Sequence, residues 1–128
     1  ILNHEKIKYI GEQQDIRPFV MAADILVFPS YREGFPNVVM EAGALGLASI
    51  VTDINGCNEI IIPSRNGIII PPKDENALYE VMRYSCEHME EIKRMGEIAR
   101  SLIVSRFEQQ MVWQAIKNEY EELISHEL

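Results

Sequence analysis

Short apolar runs alternate with segments of helical spacing along the first 70 residues. Continuous apolar runs at residues 25–28, 49–52 and 68–70 predict strands, and residues 6–10 predict a further strand ahead of them. Runs this short and rich in β-branched residues are typical of strands buried on both faces of a parallel sheet. A helix is predicted over residues 36–45, between two of these strands.

The rest of the chain has helical periodicity. Asp74 is a suitable N-cap for a helix over residues 75–86, and further helices are predicted over residues 88–106 and 109–125. Strands alternating with helices indicate the α/β class. We therefore expect a Rossmann-like three-layer domain with a small parallel sheet and a helical C-terminal tail. Four strands are fewer than usual and no initiator Met precedes Ile1, so we expect a fragment of a longer protein.

Composition excludes several classes of function. Twenty acidic residues outnumber 12 Lys and Arg, giving a formal charge of −8. Such a chain does not suit nucleic-acid phosphates or an anionic membrane surface. Cys57 and Cys86 lack the spacing of a metal site or disulfide framework. No apolar stretch approaches the roughly 20 residues of a membrane span.

The loop and helix start after the second predicted strand are the best candidate for chemistry. A loop at the carboxyl end of a parallel strand lies where ligands bind in open α/β sheets. Gly34 lets a ligand approach the backbone closely, and the following helix start offers N–H groups and a dipole to an anion. Pro36 has no N–H, so the expected donors are Asn37 and Val38, with Val39 as a further candidate.

Two carboxylates bracket this helix start. Glu33 lies in the loop, and Glu41 lies roughly 7 Å beyond Pro36 along the helix axis. Helical side chains lean toward the N-terminus, so the Glu41 carboxylate is directed to the anion site, where it can accept two hydrogen bonds from a ribose diol. Acids near a helix start also simply complement its dipole. Spacing alone therefore leaves both residues open as surface acids.

Motifs in a fixed order run through nearly the whole chain. They comprise residues 23–30, 33–42, 50–53, 55–56, 59–61, 66–70 and 72–74, together with Gly46, Arg106 and Phe107. This pattern resembles the C-terminal, donor-binding half of the family 4 retaining glycosyltransferases (glycosyl transferases group 1), which have the GT-B fold. The resemblance makes residues 1–128 a truncated nucleotide-sugar-binding domain, and the acceptor-binding N-terminal domain is expected to be absent.

The resemblance also implies roles for individual residues. Glu33 would lie beside the transferred sugar as the catalytic carboxylate, and Glu41 would hold the ribose diol. The base would be gripped by the main chain near Ile10 and Gly11. The residues implied to receive the distal phosphate are Gly34, Phe35, Pro36, Asn37 and Val38.

The implied reaction moves a sugar from a nucleotide-diphosphate donor to a glycan or lipid-linked acceptor, in surface polysaccharide synthesis. Members usually need neither a metal nor another cofactor, and this sequence offers no acidic pair at metal-ligand spacing. The chain is expected to be inactive alone. Its expected location is the cytoplasm, with the inner membrane reached only through the absent domain.

Three departures from the family pattern bear on this interpretation. Ala48 stands where members often have Pro, and Pro36 stands where many have a second Gly. The basic Arg and Lys pair that neutralises the diphosphate in the family would lie upstream of Ile1. Arg17 and Arg32 are the nearest cations here, and neither is at a matching position.

Other functions remain open at this stage. A nucleotide-sugar epimerase would share the fold but needs further acid and base residues in the cleft. A non-catalytic nucleotide-sugar-binding module would use the same loop without turnover. A plain interaction module would bind no nucleotide.

Overall fold

A computed structural model describes residues 4–126 and contains a small parallel sheet with helices around it. The strands are β1 (Leu26–Phe28), β2 (Ser49–Thr52) and β3 (Gly67–Ile70), in the order β1-β2-β3. The helices are α1 (Arg17–Met21), α2 (Asn37–Ala44), α3 (Cys57–Ile60), α4 (Glu75–Glu87), α5 (Met89–Phe107) and α6 (Gln109–His126). Both strand pairs are parallel, which confirms the predicted fold class.

The central strand β2 is covered on both faces. Its residues Ile50 and Val51 point to opposite faces, yet each is 0% exposed. Val51 belongs to the core cluster formed with α2, α3 and the end of α5. On the other face Ile68, the register partner of Ile50, packs with Ile92 at the start of α5. Burying each such side chain contributes about 1.5–3 kcal/mol, so burial on both faces accounts for the continuous apolar runs.

The strand predicted over residues 6–10 is not formed. The side chains of Ile7, Tyr9 and Ile10 are exposed, and residues 6–10 pair with no strand in the part of the chain that is described. A strand needs a ladder of hydrogen bonds to a neighbour, and β1 makes its ladder with β2 alone. The prediction of a strand at residues 6–10 was therefore wrong, because apolar composition alone does not supply a neighbouring strand.

Helix α2 starts one residue later than predicted. Pro36 is its N-cap, with an extended backbone (φ −74°, ψ 110°), rather than its first helical residue. Its carbonyl oxygen accepts hydrogen bonds from the N–H groups of Val39 (3.2 Å) and Met40 (3.5 Å). Gly46, at φ +84°, follows the end of α2, where glycine commonly ends a helix.

Two glycines let α5 pack closely against α2 and the turn that follows it. A Cβ atom on Gly96 would lie 2.3 Å from the backbone oxygen of Gly46. A Cβ atom on Gly43 would lie 2.8 Å from Cγ1 of Ile103. This close packing on α5 fixes the axis of α2. It therefore also fixes the direction in which the N-terminus of α2 points.

Helix α6 forms as predicted, but its apolar side chains are exposed. The exposed fractions are 62% for Trp113, 50% for Ile116, 64% for Tyr120 and 57% for Leu123. Among the residues described, no helix combines the length and the apolar character needed to cross a bilayer.

Candidate functional site

The loop between β1 and α2 is anchored to the carboxyl end of the sheet by hydrogen bonds. Thr52 Oγ1, at the end of β2, donates to the backbone oxygen of Ser30. Ser30 Oγ in turn donates to Glu33 Oε1 at 2.7 Å. A hydroxyl bonded to an ionised carboxylate makes a strong, oriented interaction. The half-buried Glu33 is therefore held in one orientation.

Glu33 opens onto a shallow hollow above the turn that follows β2. This hollow is lined by Tyr31, Arg32, Glu33, Ile54 and Asn55. The buried thiol of Cys57 lies near enough to be affected, because burial first and the charge of Glu33 second raise the pKa of Cys57. One carboxylate oxygen of Glu33 is therefore bonded to Ser30, and the side chain also borders open space.

Gly56 allows the turn after β2 to touch this loop through backbone atoms. Its φ is +79°, and a Cβ atom there would lie 2.3 Å from the backbone oxygen of Gly34. Its N–H donates to Glu59 Oε1 at 3.2 Å. The residue types Asn55 and Gly56 indicate a turn, but they do not indicate which part of the chain the turn contacts.

The start of α2 presents free N–H groups, as predicted for two of the three residues. No acceptor is recorded within residues 4–126 for the N–H groups of Asn37 and Val38. The N–H of Val39 is not free, because it donates to the backbone oxygen of Pro36 at 3.2 Å. Two unpaired donors at the positive end of an eight-residue helix can bind an anionic group.

Phe35 and Pro36 hold the loop against the body of the protein. Pro36 is buried, and the rings of Phe35 and of Phe107, at the end of α5, pack edge to face with centroids 5.5 Å apart. The sequence pointed to Phe35 through its backbone alone. Its contact with Phe107 joins residues far apart in the chain and leaves no local signal.

Glu41 is exposed and lies on the other side of the α2 start from the Glu33 hollow. It lines a larger open hollow of about 630 Å³ between α1 and α2. Arg17 lines the same hollow, where its guanidinium binds Asp15 (Nη2 to Oδ2, 2.7 Å) and lowers the pKa of Asp15 to about 2. The two carboxylates therefore flank the helix start from two separate spaces.

Ile10 and Gly11 lie in an exposed, irregular segment rather than at the end of a strand. The carbonyl oxygen of Ile10 accepts a hydrogen bond from Gln13 Nε2 at 2.6 Å. Gly11 has φ +68°, and a Cβ atom on it would meet nothing within 4 Å. No hydrogen bond between this segment and the loop that holds Glu33 is recorded in the part of the chain described.

The residues described contain no group of three or more His, Cys, Asp or Glu side chains that could hold a metal ion. Arg32 lines the hollow beside Glu33, and a second cation, Lys73, lies near Tyr31 of the same loop. The Nζ atom of Lys73 lies 6.0 Å from the ring centroid of Tyr31, and Lys73 adopts φ +62°. The site thus combines free N–H donors, one oriented carboxylate and nearby positive charge.

Comparison with known proteins extends this description. The family model described as glycosyl transferases group 1 matches residues 2–88. The chain is 40% identical over 79 residues to N,N'-diacetylbacillosaminyl-diphospho-undecaprenol alpha-1,3-N-acetylgalactosaminyltransferase of Campylobacter jejuni, covering 62% of this chain and 21% of that protein. It is 30% identical over 104 residues to UDP-Gal:alpha-D-GlcNAc-diphosphoundecaprenol alpha-1,3-galactosyltransferase of Escherichia coli, covering 80% and 26%. The chain therefore spans about a fifth to a quarter of these relatives.

Solved structures share the fold. Sucrose-phosphate synthase from Thermosynechococcus elongatus is 26% identical with a TM-score of 0.82, over 87% of this chain and 28% of that one. Anabaena HepE in complex with UDP-glucose is 21% identical with a TM-score of 0.86, over 92% and 33%. The second likeness concerns the fold alone.

Proposed function

Because this chain belongs to the glycosyl transferases group 1 family, we propose that it is the donor-binding half of a retaining GT-B glycosyltransferase. The acceptor-binding domain belongs to a longer parent protein, and the chain is inactive alone. The reaction transfers a sugar from a nucleotide-diphosphate donor to a glycan or lipid-linked acceptor in surface polysaccharide synthesis. Support comes from the names of relatives, two of which act on diphospho-undecaprenol acceptors and one in capsular polysaccharide biosynthesis.

One observation carries the proposal more than any other. The unpaired N–H groups of Asn37 and Val38 lie at the same helix start as the oriented carboxylate of Glu33. Donors fixed in advance at a helix N-terminus stabilise negative charge as it develops on a leaving group. These N–H groups, with the backbone at Gly34, Phe35 and Pro36, receive the distal phosphate of the donor.

Glu33 acts on the sugar. The bond between the anomeric carbon and the diphosphate oxygen breaks, and the acceptor hydroxyl oxygen forms the new bond on the same face of the sugar. The acceptor proton passes to the departing diphosphate. Glu33 binds sugar hydroxyls and steadies the positive charge that develops on the ring, while Ser30 keeps the carboxylate in place.

The nucleoside lies on the other side of the helix start. Glu41 lines the hollow together with residues 14–17, which follow Ile10 and Gly11 in the chain. This arrangement supports the assignment of Glu41 to the ribose diol and of the Ile10 and Gly11 backbone to the base. Arg17 is already bound to Asp15, so we do not assign it to the diphosphate.

The test is calorimetric titration of the full-length protein with uridine, guanosine and adenosine diphosphate sugars. One of these donors should bind, and Glu41→Ala should weaken its binding by about tenfold, the value of one 1.4 kcal/mol interaction. Glu97→Ala, an exposed acid on α5, should bind as the wild type does. Binding of no donor would remove the glycosyltransferase proposal.

Glu33→Gln separates the enzyme from a binding module. Donor binding should persist while turnover falls at least a hundredfold, because the carboxylate charge acts mainly in the transition state. Unchanged turnover would remove Glu33 from catalysis. Release of an epimerised sugar nucleotide in the absence of acceptor would instead identify an epimerase.

A further inference from the structure

The end of α5 reaches the loop that carries Glu33 through two neighbouring side chains. The ring of Phe107 meets the ring of Phe35 edge to face, with centroids 5.5 Å apart and an interplanar angle of 66°. The guanidinium carbon of Arg106 lies 4.8 Å from the centroid of the Phe107 ring. A cation over an aromatic face and an edge-to-face ring pair are both directional contacts. They fix where the Phe35 side chain can lie.

Arg106 also binds the C-terminal end of α3. Its Nη2 donates to the backbone oxygen of Glu59 at 2.5 Å, and its Nη1 donates to that of Ile60 at 3.4 Å. The last carbonyls of a helix lack partners within the helix and favour a cation. The buried Asn66 adds a further hydrogen bond from Nδ2 to the oxygen of Ile60 at 3.1 Å. The end of α3 is thus held by side chains from two other parts of the chain.

The other end of α3 presses on the same loop. Gly56 precedes the helix and lies so close to Gly34 that no side chain fits between them. The N–H of Gly56 is held by Glu59 Oε1 at 3.2 Å. Arg106 therefore fixes α3 against Gly34, and the adjacent Phe107 fixes Phe35. One end of α5 therefore holds two consecutive loop residues, Gly34 through α3 and Phe35 by direct contact.

We propose that Arg106 and Phe107 are positioning residues for the donor loop. They touch no substrate, and they hold Gly34 and Phe35 so that Glu33 and the start of α2 face the donor. This inference rests on the proposed function, because it assigns the loop to a nucleotide sugar. The protein groups that bind the nucleotide sugar must be held in place before it binds, since a small displacement of a binding group weakens its interaction steeply. Arg106 itself is exposed, so replacing it leaves no cavity in the core.

The test compares Arg106→Gln with Arg100→Gln in the full-length protein. Arg100 is also exposed and lies on the same helix, and no hydrogen bond or ion pair is recorded for it within residues 4–126. Amide hydrogen exchange should be at least about fivefold faster in Arg106→Gln for the peptides covering residues 29–38 and 56–62. Exchange in α4 should not change, and Arg100→Gln should match the wild type throughout. Faster exchange everywhere would indicate a folding role and overturn the proposal.

Steady-state kinetics provide the second readout. Arg106→Gln should raise the KM for the donor about five- to tenfold and leave kcat within twofold, because Ser30 still orients the Glu33 carboxylate through its own hydrogen bond. Arg106→Lys should recover part of the loss, since an ammonium still donates to one carbonyl. Phe107→Tyr should behave as the wild type, while Phe107→Leu should raise the donor KM. Equal donor KM values in Arg106→Gln and the wild type would overturn the positioning role.

The two proposals fail in different ways. Hydrogen exchange of the loop needs no donor, so it measures positioning even if no nucleotide sugar binds. Absence of donor binding in the wild type overturns the proposed function and the donor role of the loop with it. Normal donor binding in the wild type, with unchanged exchange and KM in Arg106→Gln, overturns the positioning role alone.

Discussion

The backbone oxygen of Gly34 lies 2.3 Å from the place that a Cβ atom would take on Gly56. Such a Cβ atom would also lie 2.9 Å from Cδ of Pro36, so only glycine fits at residue 56. Gly56 also has φ +79°, which other residues adopt at a cost of about 1–2 kcal/mol. The shape of the site thus depends on one residue that bears no functional group.

Gly56→Ala should lower the free energy of unfolding by about 2–4 kcal/mol. The left-handed backbone accounts for about 1–2 kcal/mol and the clash with Gly34 for about 1–3 kcal/mol. Gly46→Ala is the matched control, because Gly46 has φ +84° but its Cβ atom would only meet the Gly96 oxygen at 3.9 Å. Urea unfolding of both variants measures the difference. Equal losses would show that Gly34 and Gly56 are not in close contact.

Ser30→Ala should lower turnover about tenfold and leave donor binding within twofold. The Ser30 hydroxyl orients Glu33 (Oγ to Oε1, 2.7 Å), and a hydrogen bond to a charged group contributes about 1.5–3 kcal/mol. Ser101→Ala is the control, since the Ser101 hydroxyl bonds only to the carbonyl of Ile98 in its own helix. Steady-state kinetics of the full-length protein give the result. Wild-type turnover in Ser30→Ala would mean that this bond does not orient Glu33 in catalysis.

Gly96→Ala should destabilise the fold by about 1–3 kcal/mol, although alanine is the better helix former by about 1 kcal/mol. The added Cβ would lie 2.3 Å from the oxygen of Gly46 and 3.3 Å from the nitrogen of Ala48, both backbone atoms. Gly43→Ala should cost less, because its Cβ would meet the side chain of Ile103, which can shift. The urea midpoints of the two variants should follow this order. A stabilised Gly96→Ala would contradict the packing of α5 on Gly46.

The two thiols should differ sharply in reactivity. Cys57 is buried and Cys86 is exposed, and burial first and the charge of Glu33 second raise the pKa of Cys57 above the ordinary thiol value. An alkylating reagent at pH 8 should therefore modify Cys86 and leave Cys57 unmodified until urea opens the fold. Peptide mass spectrometry gives the extent of reaction at each residue. Rapid labelling of Cys57 in the native protein would contradict its burial.

The same pKa shift predicts how stability varies with pH. A thiol whose folded-state pKa is raised contributes stability that is fully present below the unfolded-state pKa and is lost as pH rises beyond it. Stability should therefore fall as pH rises above about 8.5, the ordinary pKa of a thiol, and this loss should be smaller in Cys57→Ala. Urea midpoints between pH 7 and pH 10 for both proteins provide the check. Identical pH profiles would show that Cys57 does not titrate with folding.

The sequence alone determined the elements that are fixed by local chemistry. The apolar runs at residues 25–28, 49–52 and 68–70 correspond to the three strands. Asp74 caps α4 as predicted, accepting a hydrogen bond from the Ala77 N–H at 2.9 Å. Asn37 and Val38 were predicted as free donors because every helix start leaves N–H groups unpaired. These features depend on neighbours within a few residues, so a single sequence is enough to predict them.

Only the tertiary structure decided which distant residues meet. The segment at residues 6–10 has the composition of a strand, but it pairs with no strand among residues 4–126 and is not one there. Glu33 and Glu41 share a motif, yet Glu41 borders a hollow next to α1, while Glu33 borders one formed with the turn after β2. The contacts of Gly56 with Gly34 and of Phe107 with Phe35 join segments far apart in the chain. Such contacts follow from how helices and strands pack in space, and local sequence carries no periodicity that would encode them.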